Sequence, residues 1–180
     1  MSNNPRELIS LAYQARQDGQ AQQALEIFSK SVELCRESSD PSALASSLVG
    51  LGQIERDLGN SHAALQHYRE EVDIYRKQPN PLRLAHMIRH LADILRENGS
   101  LLEARPHYEE ALRIYREHTE TPPLDLANAI RGFALFCGEA GENEQAKSLW
   151  QEARSLYESV NVQAGVKESD DQIAGLALKS

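Results

Sequence analysis

The chain has 180 residues, 41% of them apolar and 26% charged, with a formal net charge of −8. An acidic balance of this size argues against general nucleic-acid binding, which needs a basic surface to neutralise phosphates. No apolar run approaches the ~20 residues of a membrane span, and the opening Met-Ser-Asn-Asn-Pro carries no basic-then-apolar leader, so a soluble cytoplasmic protein is expected, with neither membrane nor nucleic acid among its partners.

In chain order, the first predicted element is a helical hairpin over about residues 5–38, turning at Asp18-Gly19. Asp40-Pro41 opens a second over about 41–78, and Asn80-Pro81 a third over about 81–119. Each time a capping side chain precedes a proline suited to the first helical position, where no amide donor is missed. Within the third hairpin Leu84, Ala85, Ile88, Leu91, Ala92 and Leu95 recur at three- and four-residue steps, the apolar stripe of a helix. Asn98-Gly99 stops that helix, and Ser100 with Glu103 is expected to form a capping box for the next. The stripe resumes with Leu101, Ala104, Tyr108, Ala111, Leu112 and Tyr115. A fourth hairpin is predicted over about 123–160, from Pro123, and a last helix over about 162–178. Gly50, Gly52, Gly132 and Gly138 fall inside helices and weaken them. Close packing of helices accounts for Gly52; the sequence offers no account of the other three.

The hairpins are copies of one text. The turn glycine recurs as Gly19, Gly59, Gly99 and Gly141, at spacings of 40, 40 and 42. Five residues on stand Ala24, Ala64, Ala104 and Ala146, and four further on a ring, Phe28, Tyr68, Tyr108 and Trp150. Seven before each glycine lie Ala12, Gly52, Ala92 and Ala134, preceded by Leu11, Leu51, Leu91 and Phe133. Columns held in register over four copies identify a repeat array, in which each unit packs on its neighbours.

These columns resemble the tetratricopeptide repeat (TPR), whose pattern runs W-x2-L-G-x2-Y, then A-x3-F, then A. Leu51-Gly52 and Ala104-x3-Tyr108-x2-Ala111 match it, while Leu8, Leu48, Ile88 and Ile130 stand in the Trp column and Ala15, Glu55, Leu95 and Cys137 in the Tyr column. The period exceeds the usual ~34, as in the long-repeat subclass of kinesin light chains and bacterial regulatory proteins. The resemblance implies an all-α fold over 1–180, a right-handed α-solenoid of four TPR-like hairpins closed by a C-terminal capping helix. In that last helix Ile173 and Ala174 continue the columns of Phe133 and Ala134, and Val166, Ile173 and Ala177 are expected to cover the fourth repeat while Asp170 and its neighbours turn outward. Cys35 and Cys137, in the first and fourth repeats, lie too far apart in such an array for a disulfide and read as packing thiols.

In this family the first helices of successive repeats line a concave groove. By that register Tyr13 and Arg16 of the first copy face it, with Gln53 and Arg56 of the second, His86, Arg89 and Arg96 of the third, and Asn128 and Arg131 of the fourth. A cationic groove in an acidic body steers an acidic segment inward, and the planar guanidinium fork takes a carboxylate in two parallel hydrogen bonds. Arg16, Arg56 and Arg96 also lie in the last turn of their helices, where a cation favours the helix dipole; Arg89 and Arg131 do not, and are the stronger binding candidates. The lysine and asparagine clamp of chaperone-binding members is not reproduced, since Val49, Gln53, Arg89 and Asp93 fill its positions. His86, His90 and Asp93 share one side of a helix but make a poor zinc set. No catalytic residue, metal or cofactor is expected. The expected function is a non-catalytic adaptor for an acidic peptide or helix, with self-assembly as a homodimer through the last helix or the repeat ends as the competing reading.

Overall fold

The computed structural model describes residues 4–38 and 40–178. Among them are nine helices and no strand: α1 Pro5–Gln17, α2 Ala21–Ser38, α3 Pro41–Asp57, α4 Ser61–Arg76, α5 Pro81–Glu97, α6 Leu101–Glu117, α7 Pro123–Glu139, α8 Asn143–Ser159 and α9 Gln163–Ala177. The protein is thus all-α, and consecutive helices pack in pairs in the manner of a TPR-like solenoid. The contacts group the chain into two units, residues 1–79 with α1–α4 and residues 80–180 with α5–α9.

Local chemistry sets the helix boundaries. The side chains of Asn4, Asp40 and Asn80 accept hydrogen bonds from the Arg6, Ser42 and Ala43, and Arg83 amides, and Pro41, Pro81 and Pro123 each take the first helical position. Gly19, Gly59, Gly99 and Gly141 have φ between +75° and +81°, the left-handed conformation that glycine adopts without steric cost. The expected capping box at Ser100 does not form. The Ser100 amide is already bonded to the Leu95 carbonyl across the glycine turn, at 2.8 Å, so Glu103 finds no donor there to accept.

In each unit the core is a row of alanines and rings. Ala12, Ala24 and Ala64 in the first unit, and Ala92, Ala104, Ala134 and Ala146 in the second, are fully buried. Phe28, Tyr68, Tyr108 and Trp150 are at most 4% exposed, so each ring removes its whole face from water, worth about 1.5–3 kcal/mol apiece. These rings explain the interior glycines. A Cβ on Gly50 would stand 2.1 Å from the Phe28 ring, one on Gly132 2.8 Å from Asp93 Oδ1 and 3.0 Å from the Tyr108 ring, and one on Gly52 2.8 Å from Tyr68. In the first and third repeats the ring therefore lies flush on the next repeat's first helix. Gly138 has nothing within 4 Å of its Cβ direction, and no packing reason for it exists.

The last helix sits differently from its register. Gly165, Ser169 and Leu176 are its buried residues; Val166 and Ile173 are only half-buried, and Ala177 is exposed. The Tyr157 ring presses on the helix where a Cβ at Gly165 would come within 2.5 Å, and that close approach selects the Gly165–Ser169 edge. Leu176 is its only large apolar side chain that is buried, and Gly165 and Gly175 each cost about 1 kcal/mol of helix propensity relative to alanine. α9 is therefore the least firmly anchored helix of its unit.

The glycine assignment predicts opposite outcomes for two like substitutions. Gly50→Ala should lower stability by about 1–3 kcal/mol by overpacking, whereas Gly138→Ala should be neutral or raise it by up to about 1 kcal/mol. Urea denaturation followed by helical circular dichroism measures both; equal midpoints for the two variants would refute the account.

Candidate functional site

The arginines singled out from the sequence lie on the first helices of their repeats, and each reaches a partner within this chain. In the first unit Arg16 of α1 donates from Nε to Asp57 and from Nη1 to Gln53, both on α3, at 2.8 and 2.7 Å. Burial raises the pKa of the Tyr68 hydroxyl to about 12, against the pull of the neighbouring Arg56 charge. Tyr13 sets its ring edge-on against Phe28, 5.0 Å between centroids, and burial raises the pKa of its hydroxyl.

The second unit carries a connected polar network. Arg89 bonds Asp93 at 2.6 Å and His90 Nε2 at 2.9 Å, and His90 Nε2 meets His86 Nε2 at 3.2 Å. Asp93 accepts from the Tyr108 hydroxyl at 2.7 Å, beside the charge of Arg96, which donates to Glu139 of α7. Burial and Asp93 push the Tyr108 pKa far up, so the hydroxyl stays protonated and can donate. Arg131 of α7 holds both oxygens of Glu168 of α9, at 2.7 and 2.6 Å. Asn128 accepts from the Tyr157 hydroxyl at 2.8 Å. Arg89 Nε and the Tyr115 hydroxyl are buried and bond no described protein atom.

These pairs follow a rule. Arg16 to Asp57, Arg96 to Glu139 and Arg131 to Glu168 each join a first helix to the first helix of the following repeat. A second row joins the second helices, Arg36 to Glu70 and Arg116 to Glu152. Exposed pairs of this kind contribute about 0–1 kcal/mol each, so their main effect is to set which turn faces which. Exposure separates the candidates: the Arg89 side chain is 12% exposed and Arg96 15%, while Arg131 is 39% exposed.

Sequence reasoning missed Glu168 and the hydroxyls of Tyr108 and Tyr157, which position the arginines and Asn128. The available signal was the choice of tyrosine over phenylalanine in buried columns, because a buried phenol needs a partner. It also missed a cleft of about 920 Å³ in the first unit, lined by Leu8, Leu11, Ala15 and Ile27 with a rim of glutamines. Leu11 is 53% exposed there, while Leu51, Leu91 and Phe133 of the same column are at most 5% exposed. Cys35 and Cys137 are free and buried, and burial lifts the Cys137 thiol to about 12. Among the described residues no three metal-binding side chains converge, and no helix is long and apolar enough to cross a membrane.

Burial, followed by the charge of Arg89, lowers the His86 pKa below its ordinary 6.5. The folded state therefore disfavours the proton, and the contribution of this group to stability is present above about pH 6.5 and is lost as pH falls through the lowered value. Thermal unfolding should occur at a lower temperature at about pH 5 than at about pH 7.5, and His86→Gln should remove part of that drop. A drop undiminished in the variant would exclude His86 as a source.

The comparisons agree with this architecture. No curated protein matches the chain. A signal transduction ATPase with numerous domains (STAND) from Pyrococcus horikoshii, carrying a tetratricopeptide repeat sensor, superposes with a TM-score of 0.85 at 18% identity over 94% of this chain and 26% of its own. BtubC (BKLC) from P. vanneervenii superposes with a TM-score of 0.71 at 14% identity, over 95% of this chain and 79% of its own. At such identities the likeness concerns the fold, and the chain spans about a quarter of the length of the STAND protein. The MalT-like TPR family model matches residues 6–174, nearly the whole run from α1 to α9, and the chain belongs to the MalT-like TPR region family.

Proposed function

We propose that this chain is a protein-interaction module without chemistry of its own, and that the first-helix arginines take an acidic segment of a partner. Two findings support a binding role: the family of the chain, and the use of such repeats as a sensor in the STAND protein. In the second unit the contact is centred on Arg131, flanked by Asn128, with Arg89, Arg96 and His86 on the neighbouring helix α5. In the first unit Arg16, Arg56, Gln53 and Tyr13 make a separate patch of the same chemistry on α1 and α3.

The observation that carries the reading is the geometry of Arg131. Its fork engages both oxygens of one carboxylate while the side chain remains 39% exposed. A donor plane already oriented for a carboxylate loses little freedom on accepting another. Because the chain's own acids occupy the arginines, an incoming segment binds by exchange, so several carboxylates in a row compete better than one. Arg89, nearly enclosed beside Asp93, orients the network and touches a ligand only if Asp93 gives way.

Fluorescence anisotropy with a labelled peptide of six consecutive glutamates tests the proposal. The wild-type chain should bind it, and Arg131→Gln should weaken binding roughly tenfold, the loss expected for one charge-assisted contact. Raising the salt from about 0.05 to 0.3 M should weaken it further by screening. Equal binding by wild type and variant, or equal binding of a hexalysine peptide, would overturn it.

A further inference from the structure

We propose that the surface beneath α9 is a docking site for an acidic amphipathic helix brought by a partner, and that α9 is its resident, displaceable occupant. The inference rests on the reading that Arg131 takes acidic segments, and it specifies the segment: a helix with small residues four apart on one edge and carboxylates beside them.

The template is α9 itself. It lays Gly165 and Ser169, spaced by one turn, against the fourth repeat, with the Tyr157 ring flush on Gly165. Beside that edge Glu168 grips Arg131 through two bonds, and Asp170 takes the Nε of Arg154 of α8 at 2.7 Å. Two arginines from two different helices thus face two carboxylates of one helix. The surface is complementary in charge to an acidic helix, and small residues on the approaching edge are needed to let the ring through.

The attachment is polar where it could have been apolar. The Glu168 and Asp170 side chains are 33% and 53% exposed, so water and competing carboxylates reach both pairs. The Ser169 hydroxyl is turned back to the Gly165 carbonyl at 2.8 Å and spends its bond within α9, not on the fourth repeat. Glu168, Asp170 and Asp171 crowd three acids into four positions. Arg131 and Arg154 offset that crowding while α9 is docked. An incoming helix with the same edge would replace each of these contacts in kind. Its apparent affinity is its intrinsic affinity multiplied by the fraction of molecules in which α9 is undocked.

The probe is a fluorescein-labelled synthetic peptide of residues 160–178, with a scrambled peptide of equal composition as control. The hosts are the full chain and its Glu168→Gln/Asp170→Asn variant, which loosens the resident helix and leaves Arg131 and Arg154 untouched. The variant should bind the probe at least tenfold more tightly than wild type, and Arg131→Gln added to it should cancel the gain. Independently of any variant, saturating the wild-type chain with unlabelled probe should speed hydrogen exchange of amides 163–177 while those of α7 and α8 keep their rates. Equal affinity of the two hosts, a gain that survives Arg131→Gln, or unchanged exchange at saturation would each overturn the proposal. Binding of this probe without binding of hexaglutamate sinks the broader acidic reading and leaves the docking site standing; the converse result sinks the docking site alone.

Discussion

A ring laid flat on a helix is the contact from which the rest of the array follows. Phe28 reaches Gly50 and Tyr108 reaches Gly132, in each case from the second helix of one repeat to the first helix of the next. The contact requires the absence of a Cβ at one position and a large flat side chain at another. It brings two helix backbones closer than ordinary side chains allow, and burying the ring supplies the free energy. Alanines that are fully buried around it leave no room for alternatives. Overpacking such a site is as damaging as emptying it, because protein interiors are close-packed.

Ion pairs lie over this packing and follow its period. Within each unit arginines reach carboxylates one repeat further on, from first helix to first helix and from second helix to second helix. Individually they are weak. Their arrangement nonetheless changes what an arginine-rich face means. Arg16, Arg89, Arg96 and Arg131 are each paired with an acid of the chain, so they present oriented ion pairs and not a bare positive field. Under the binding role proposed above, a ligand would compete with these internal carboxylates, and the number and spacing of its charges would matter more than its net charge.

The two units differ in how polar groups enter this layer. In α5 and α6 of the second unit a continuous path runs from His86 through His90, Arg89 and Asp93 to Tyr108. In the first unit the corresponding layer holds the shorter set of Arg16, Gln53 and Asp57. A half-buried network of charge-assisted bonds stiffens its helices, since each member left unpaired would cost more than its bond returns. Arg131 and Glu168 stand at the edge of this layer, where exposure allows exchange.

The sequence by itself determined the helix count, the four turns and the buried columns. Those depend on local rules: a glycine at positive φ, a proline after a capping side chain, and apolar residues at helical spacing repeated four times. It also determined that the arginines share the first helices, because register is conserved when the period is. Tertiary structure alone decided which acid each arginine meets. Glu168 lies 37 residues from Arg131, and Asp57 lies 41 from Arg16, and no periodicity states how two helix surfaces are rotated against each other. The same reason explains Gly50 and Gly132, whose ring partners sit in the preceding repeat, and the edge α9 presents, where one glycine under Tyr157 outweighed the register inherited from the other repeats. Position along a helix is written in the chain; the angle at which two helices meet is set by the side chains caught between them.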